Sequence, residues 1–236
     1  KDSTCSMKNT LARGGVEFIA VLLGITLSLY IDKQIEESSM LKTEKSLLSD
    51  LQVSLNQDMD YAQLVLKDML GSIDSQEILI NLDCSDAKNI KPKELMTLLV
   101  SVFKGSNSLF PRYGVYRSLV SNSEMKYIEN QQLKDKLIDL YDFKFKRYEN
   151  VDPIITNLYQ YGLAEFLVEN FSYYRDKDFQ IVEKHFLMNE EVFCNNSMQK
   201  EIMKTISMTR VVHHMLQKIV ESMNAVNELI NEELNK

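Results

Sequence analysis

Residues 16–31 read VEFIAVLLGITLSLYI, sixteen positions whose one charged member is Glu17. This run constrains the fold more than any other stretch, because it is apolar on every side and offers no polar face to water. As a helix it covers about 24 Å, and Gly14, Gly15 and the residues after Ile31 extend it toward the roughly 30 Å of a bilayer core. A cleaved secretory leader would show a small-x-small site after the run. Here the run exits into Tyr30-Ile31-Asp32-Lys33 and continues in helix-forming sequence, so an uncleaved anchor is expected.

Two features inside the run bear on what such an anchor does. Ala20, Gly24 and Ser28 recur at every fourth position, a small-xxx-small face along which a second helix can approach closely; the competing reading is the ordinary composition of membrane helices. Glu17 is a candidate functional carboxylate, as ionisable groups within a membrane generally are. It also stands near the helix start, where its head reaches the interface and the macrodipole favours negative charge. Both readings of Glu17 stay open.

Downstream, 7 Gly and 3 Pro in 236 residues leave few turns, which points to helices throughout. The expected fold class is all-α: a short N-terminal segment over 1–13, a transmembrane helix over 14–35, and a helical extramembrane bundle over 36–236. Leu48, Leu51, Leu55, Met59, Ala62, Leu66, Met69 and Ile73 advance in steps of three and four, drawing an apolar seam to about Asn81. That seam either packs within the chain's own bundle or pairs with identical copies in a stalk. A polar connection is expected over 83–91, then a short helix over 93–104 opened by Pro92, with Leu95, Leu98, Leu99 and Val102 inward.

Residues 105–114, GSNSLFPRYG, form the most turn-rich stretch, with Leu109, Phe110 and Tyr113 either plugging the bundle end, the favoured reading, or contacting something outside it. A short helix over 115–127 breaks near Ser121-Asn122-Ser123, and a long one starts at Glu129 or Asn130 with Leu133, Leu137, Leu140 or Tyr141, and Tyr148 on one face. Asp152-Pro153 marks a kink or restart. The last helix spans 197–235 on a seam of Met198, Ile202, Ile206, Thr209, Val212, Leu216, Ile219, Met223, Val226 and Ile230.

A net charge of −7 and a pI near 5.1 speak against nucleic acid as a partner. His213 and His214 point about 100 degrees apart on a helix, unlike the i, i+4 pairs that build a metal face. No phosphate loop, nucleophile motif or Cys-x-x-Cys occurs, so no catalytic, metal or cofactor residue is expected and an enzyme is the least favoured reading. Arg112, Tyr113, Tyr116 and Arg117 make one compact cationic and aromatic cluster, a candidate exterior ligand site or plain surface. Cys84 and Cys194 follow the run and Cys5 precedes it, which suits a disulfide in an oxidising compartment and a free thiol on the reducing side; three unpaired cysteines are the alternative. With Lys1, Lys8 and Arg13 balancing Lys33, Lys42 and Lys45, the cysteines favour an inside N-terminus.

Gly15, Glu17, the Gly24-Ile25 pair and the turn into a charged helix resemble the opening of a family of uncharacterised single-span, mostly helical membrane proteins common in Bacteroidota. The stretch over 116–142 is similar to that family's block S-G-x-x-x-x-I-x-x-x-x-L, with Ile128 and Leu133 at the matching places. Asn122-Ser123 stands where the block has Ser-Gly, and Lys33-Gln34 where the family tends to place Asn-Trp. The resemblance implies an N-terminal anchor with a helical exterior part, and no activity. The expectation is a single-pass protein of a bacterial inner membrane with its helical domain in the periplasm, a structural or accessory subunit contacting the bilayer and itself or other envelope proteins. The alternative is a ligand-sensing or channel-forming homo-oligomer in which Glu17 rings a pore.

Overall fold

The computed structural model describes residues 3–178, 182 and 185–236; of residues 3–17 and 20 it describes the backbone alone. The chain is all-α apart from one two-stranded ribbon among the described residues. Helix α1, Ser3–Asn81, runs unbroken for 79 residues, about 118 Å at 1.5 Å per residue. No proline falls within it, and its scattered glycines cost little once half of the helix is packed.

The two ends of α1 differ. Every residue from 21 to 42 is exposed, and the first buried side chain among those described in the helix is Glu44. From Leu48 onward the predicted seam is buried, with Met59 and Leu66 partly covered and Val65 and Leu79 added to it. The seam faces helix α9, Ser197–Leu234, and not a second copy. Cross-contacts step in opposite directions along the two helices: Gln52 bonds Asn227 and Asn231, Gln76 meets Thr205, and Gln199 donates to the Leu82 carbonyl. The pair is therefore antiparallel. All ten residues of the α9 seam are buried.

Helices α2 (Cys84–Asn89) and α3 (Pro92–Phe103) follow. The expected polar connection is thus a helix for most of its length, because Asp83 and Asp86 form a reciprocal capping box that satisfies its first amides. Helix α3 lies along α1 with Leu95, Met96, Leu99 and Val102 buried. In the turn-rich stretch after it, Leu109 is the plug; Phe110 is 70% exposed. Helix α4 (Gly114–Ser121) stops before Ser123, which takes φ 58°, the left-handed conformation that glycine adopts most readily.

Helices α5 (Gln131–Ile138), α6 (Lys146–Leu158) and α7 (Ala164–Asn170) form one continuous rod, joined by wide π turns at Asp139–Phe145 and Tyr159–Leu163. The extra residue in the first turn lets both Leu140 and Tyr141 reach the core. The restart expected as one alternative at Asp152-Pro153 does not occur: α6 passes through Pro153, flanked by Tyr148 and Ile155, each 1% exposed, whose burial outweighs the local cost. Asp152 accepts a hydrogen bond from the Ser108 hydroxyl instead of capping a helix. Strands β1 (Phe171–Ser172) and β2 (Leu187–Met188) pair antiparallel, and α8 (Glu191–Cys194) leads into α9.

Among the described residues no helix is long and apolar enough to cross a membrane. Val16, Glu17 and Ala20 of the apolar run lie outside the residues whose side chains are described, and the remainder falls short of a bilayer's thickness.

Candidate functional site

Polar residues standing inside the apolar seam of α1 build the interior of the bundle. Asp58 lies three positions after Leu55 and four before Ala62, so the helix turns it inward, where it is fully buried. It accepts two hydrogen bonds from one residue, the Arg112 backbone N–H at 2.9 Å and the Arg112 guanidinium at 2.7 Å. A buried carboxylate needs such charge-assisted partners to remain in place. Arg112 thereby pins the entry of α4 to α1, although its own side chain stays half exposed.

Around that anchor the aromatic residues gather. Tyr116 and Tyr141 stack at 4.3 Å with planes 6° apart, and Tyr113 and Phe145 meet Tyr141 edge-on at 5.9 and 5.2 Å. Arg117 lies 4.7 Å over the Tyr113 ring. The Tyr116 hydroxyl donates to Asp142 at 2.6 Å, and Lys146 and this hydroxyl together hold the Asp142 carboxyl below its ordinary range. The Tyr113 and Tyr141 hydroxyls are buried without a hydrogen-bond partner. Burial, then the nearby charge of Asp58, holds the proton on Tyr141; burial, then the Glu149 carboxylate, does so for Tyr113. The cluster read from the sequence is therefore one unit, but Arg112 serves Asp58 and the rings serve the core.

A second polar centre lies nearer the far end. Gln76, three positions after Ile73, donates to the Ser72 hydroxyl at 3.0 Å and the Tyr159 hydroxyl at 2.9 Å, and accepts from Thr205 at 2.8 Å. Thr209 commits its proton to the Thr205 carbonyl, so Tyr159 is the donor in their 2.8 Å contact. Gly105 is needed here, because a Cβ would overlap the Tyr159 and Ser72 hydroxyls. Every group in this centre is satisfied, and it ties α1, the turn after α3, the second π turn and α9 together.

Cys84, first residue of α2, and Cys194, last of α8, are disulfide-bonded across 110 positions. They sit at the bundle end where α1 finishes and α9 begins. Of the small face, Gly24 has nothing within 4 Å of where a Cβ would stand and Ser28 is exposed; Ala20 and Glu17 lie outside the described side chains. His213 is half-buried, and burial, then the charge of His214, holds its pKa below the ordinary imidazole value. Among the described residues no group of three or more His, Cys, Asp or Glu is placed to hold a metal ion.

Asp58, Ser72 and Gln76 were legible as exceptions, since each occupies an apolar-seam position with a polar side chain. Tyr159 and Gly105 carried no such signal. No family model, curated protein or solved structure matches the chain.

Proposed function

We propose that the protein is a single-pass membrane subunit, anchored by the first third of α1 and working through protein contacts of its helical bundle. One observation carries this reading. The large apolar side chains over 18–31 stand between 47% and 68% exposed on all sides of a helix that projects clear of the bundle. Water would not leave such a surface bare, and a bilayer covers it without asking for a polar face. Gly15, Glu17 and Ala20 complete the span, whose helix continues without a break into the bundle. The disulfide at the opposite end supports placement of the bundle in an oxidising compartment, the periplasm in a bacterium. With Gly24 and Ser28 open, the Ala20, Gly24, Ser28 face is where a second span, from another copy or another envelope protein, would pack.

Expression of the full chain, alkaline carbonate washing of isolated membranes, and protease treatment of intact and outer-membrane-permeabilised cells test this reading together. The expected result is retention in the washed membrane, with the bundle cut only after permeabilisation. Release by carbonate would overturn the anchor, and protection after permeabilisation would overturn the orientation.

A further inference from the structure

We infer that the Cys84–Cys194 disulfide is an exchange site for a dithiol reductant, and that its reduction releases α2 as a redox-controlled flap at the far end of the bundle. The two cysteines differ in access: Cys194, last residue of α8, is exposed, whereas Cys84 is half-buried. Disulfides within reach of solvent are the ones that exchange with thiols while the protein stays folded. A thiolate of the dithiol attacks Cys194 Sγ, the sulfur–sulfur bond breaks, and Cys84 leaves with the bonding electron pair and takes a proton from water. The second thiolate of the reagent then attacks the reagent sulfur of the mixed disulfide and expels Cys194, which is protonated in turn. Two electrons have passed to the cysteines, and the reagent is left as a disulfide.

Once the bond opens, the two helices it joins behave differently. Helix α8 keeps its seat, because Val192 and Phe193 are buried and Phe193 meets Phe171 edge-on at 6.3 Å. Asn189, just before α8, also donates to Asn170 through its backbone N–H and its side-chain amide, each at 2.9 Å. Helix α2 has no comparable hold. Its one buried side chain is Ala87, and among the described residues its hydrogen bonds all close within 83–90. Such a segment, poor in buried contacts, is the first to open. The long helices do not depend on the bond at this end. Gln199 donates to the Leu82 carbonyl at 2.7 Å, Thr205 donates to Gln76 at 2.8 Å, Arg210 pairs with Glu77, and Leu79, Met198 and Ile202 are fully buried. Because α2 stays tethered to α1 and α3 by short connections, Cys84 remains near Cys194 and reoxidation restores the same bond.

Full-length protein carrying Cys5→Ser, which leaves Cys84 and Cys194 as its cysteines, would be treated in detergent with millimolar dithiothreitol, folded and in urea, and its thiols counted by alkylation and mass. Glutathione in a parallel sample traps the first mixed disulfide for location by peptide mass, and hydrogen exchange compares the oxidised, reduced and reoxidised forms. The expected result is reduction of the folded protein within tenfold of the rate in urea, with glutathione on Cys194. Exchange over 82–91 should rise at least tenfold on reduction, stay unchanged over 44–80 and 198–230, and return on reoxidation with oxidised glutathione. Reduction in urea alone overturns the exchange site, and glutathione on Cys84 overturns entry through Cys194. Unchanged exchange over 82–91 overturns the flap, and lost protection along α1 and α9 overturns the switch, since the bond would then staple the whole fold.

Discussion

The two parts of helix α1 are one element with two kinds of surface. Over 18–31 the large apolar side chains stand exposed around the helix, whereas from Leu48 to Ile73 a seam of them is buried within the bundle and Val53, Leu64 and Leu70 stay exposed. The backbone does not change between them, nor does the helix break. What changes is the angular spread of the apolar residues, and that spread dictates the cover each part requires: a stripe asks for one neighbouring helix, a full circumference asks for a medium. The exposed stretch over 32–42, rich in Asp, Glu, Lys and Ser, separates the two and holds the bundle about 16 Å beyond the apolar run.

The sharpest way to divide the two parts is to remove the disulfide, which acts at one end only. Its loop of 110 residues gives an upper figure of about 5 kcal/mol from chain entropy, so Cys84→Ser with Cys194→Ser should lower urea stability of the bundle by several kcal/mol. Membrane retention of the same variant should be unchanged. Next comes a matched pair within α1. Leu51→Ala deletes a side chain with no exposed surface and should cost about 2–5 kcal/mol in denaturant melts. Leu27→Ala, from a residue 61% exposed, should leave the bundle melt alone and weaken carbonate-resistant membrane association. If Leu27→Ala destabilised the bundle, the division of α1 into two kinds of surface would fail.

A finer contrast lies between the two tyrosine centres of the packed part. Tyr159→Phe strands Gln76 and Thr209 and should destabilise by about 1–3 kcal/mol in chemical denaturation. Tyr141→Phe removes a hydroxyl that has no partner and should be neutral or stabilising by the same measurement. The smallest effect is on pH. Because His213 titrates lower in the fold than in the open chain, the unfolded state takes up the proton first as pH falls below about 6.5. Stability present above that value should therefore decline on acidification, and His213→Gln should flatten the slope between pH 7 and 5 in denaturant titrations at fixed temperature.

Local periodicity was enough to place the long elements. The α9 seam and the end of α1 at Asn81 follow from 3.6-residue spacing and from the polar residues at the helix end, both properties of neighbouring positions. Cys84 and Cys194 were readable as a candidate pair once an antiparallel arrangement of the two long helices was assumed, since helix length and direction put them at one end. The α1 seam alone did not say whether its partner was α9 or another copy, because a stripe carries no address; the antiparallel register of Gln52, Gln76 and Gln199 with their partners decides it.

The rest was set by packing. Pro153 within a continuous helix, the wide turns that bring Leu140, Tyr141 and Tyr159 inward, and the left-handed Ser123 all run against local preference, and the core around them supplies the compensation. The candidate site is of the same kind. Tyr159 and Gly105 are ordinary residues of a helix and a turn until the fold brings both against Ser72 and Gln76 of α1. Sequence fixes which face of a helix is apolar through nearest-neighbour geometry; which surfaces meet depends on contacts between residues far apart in the chain, and those exist only after folding.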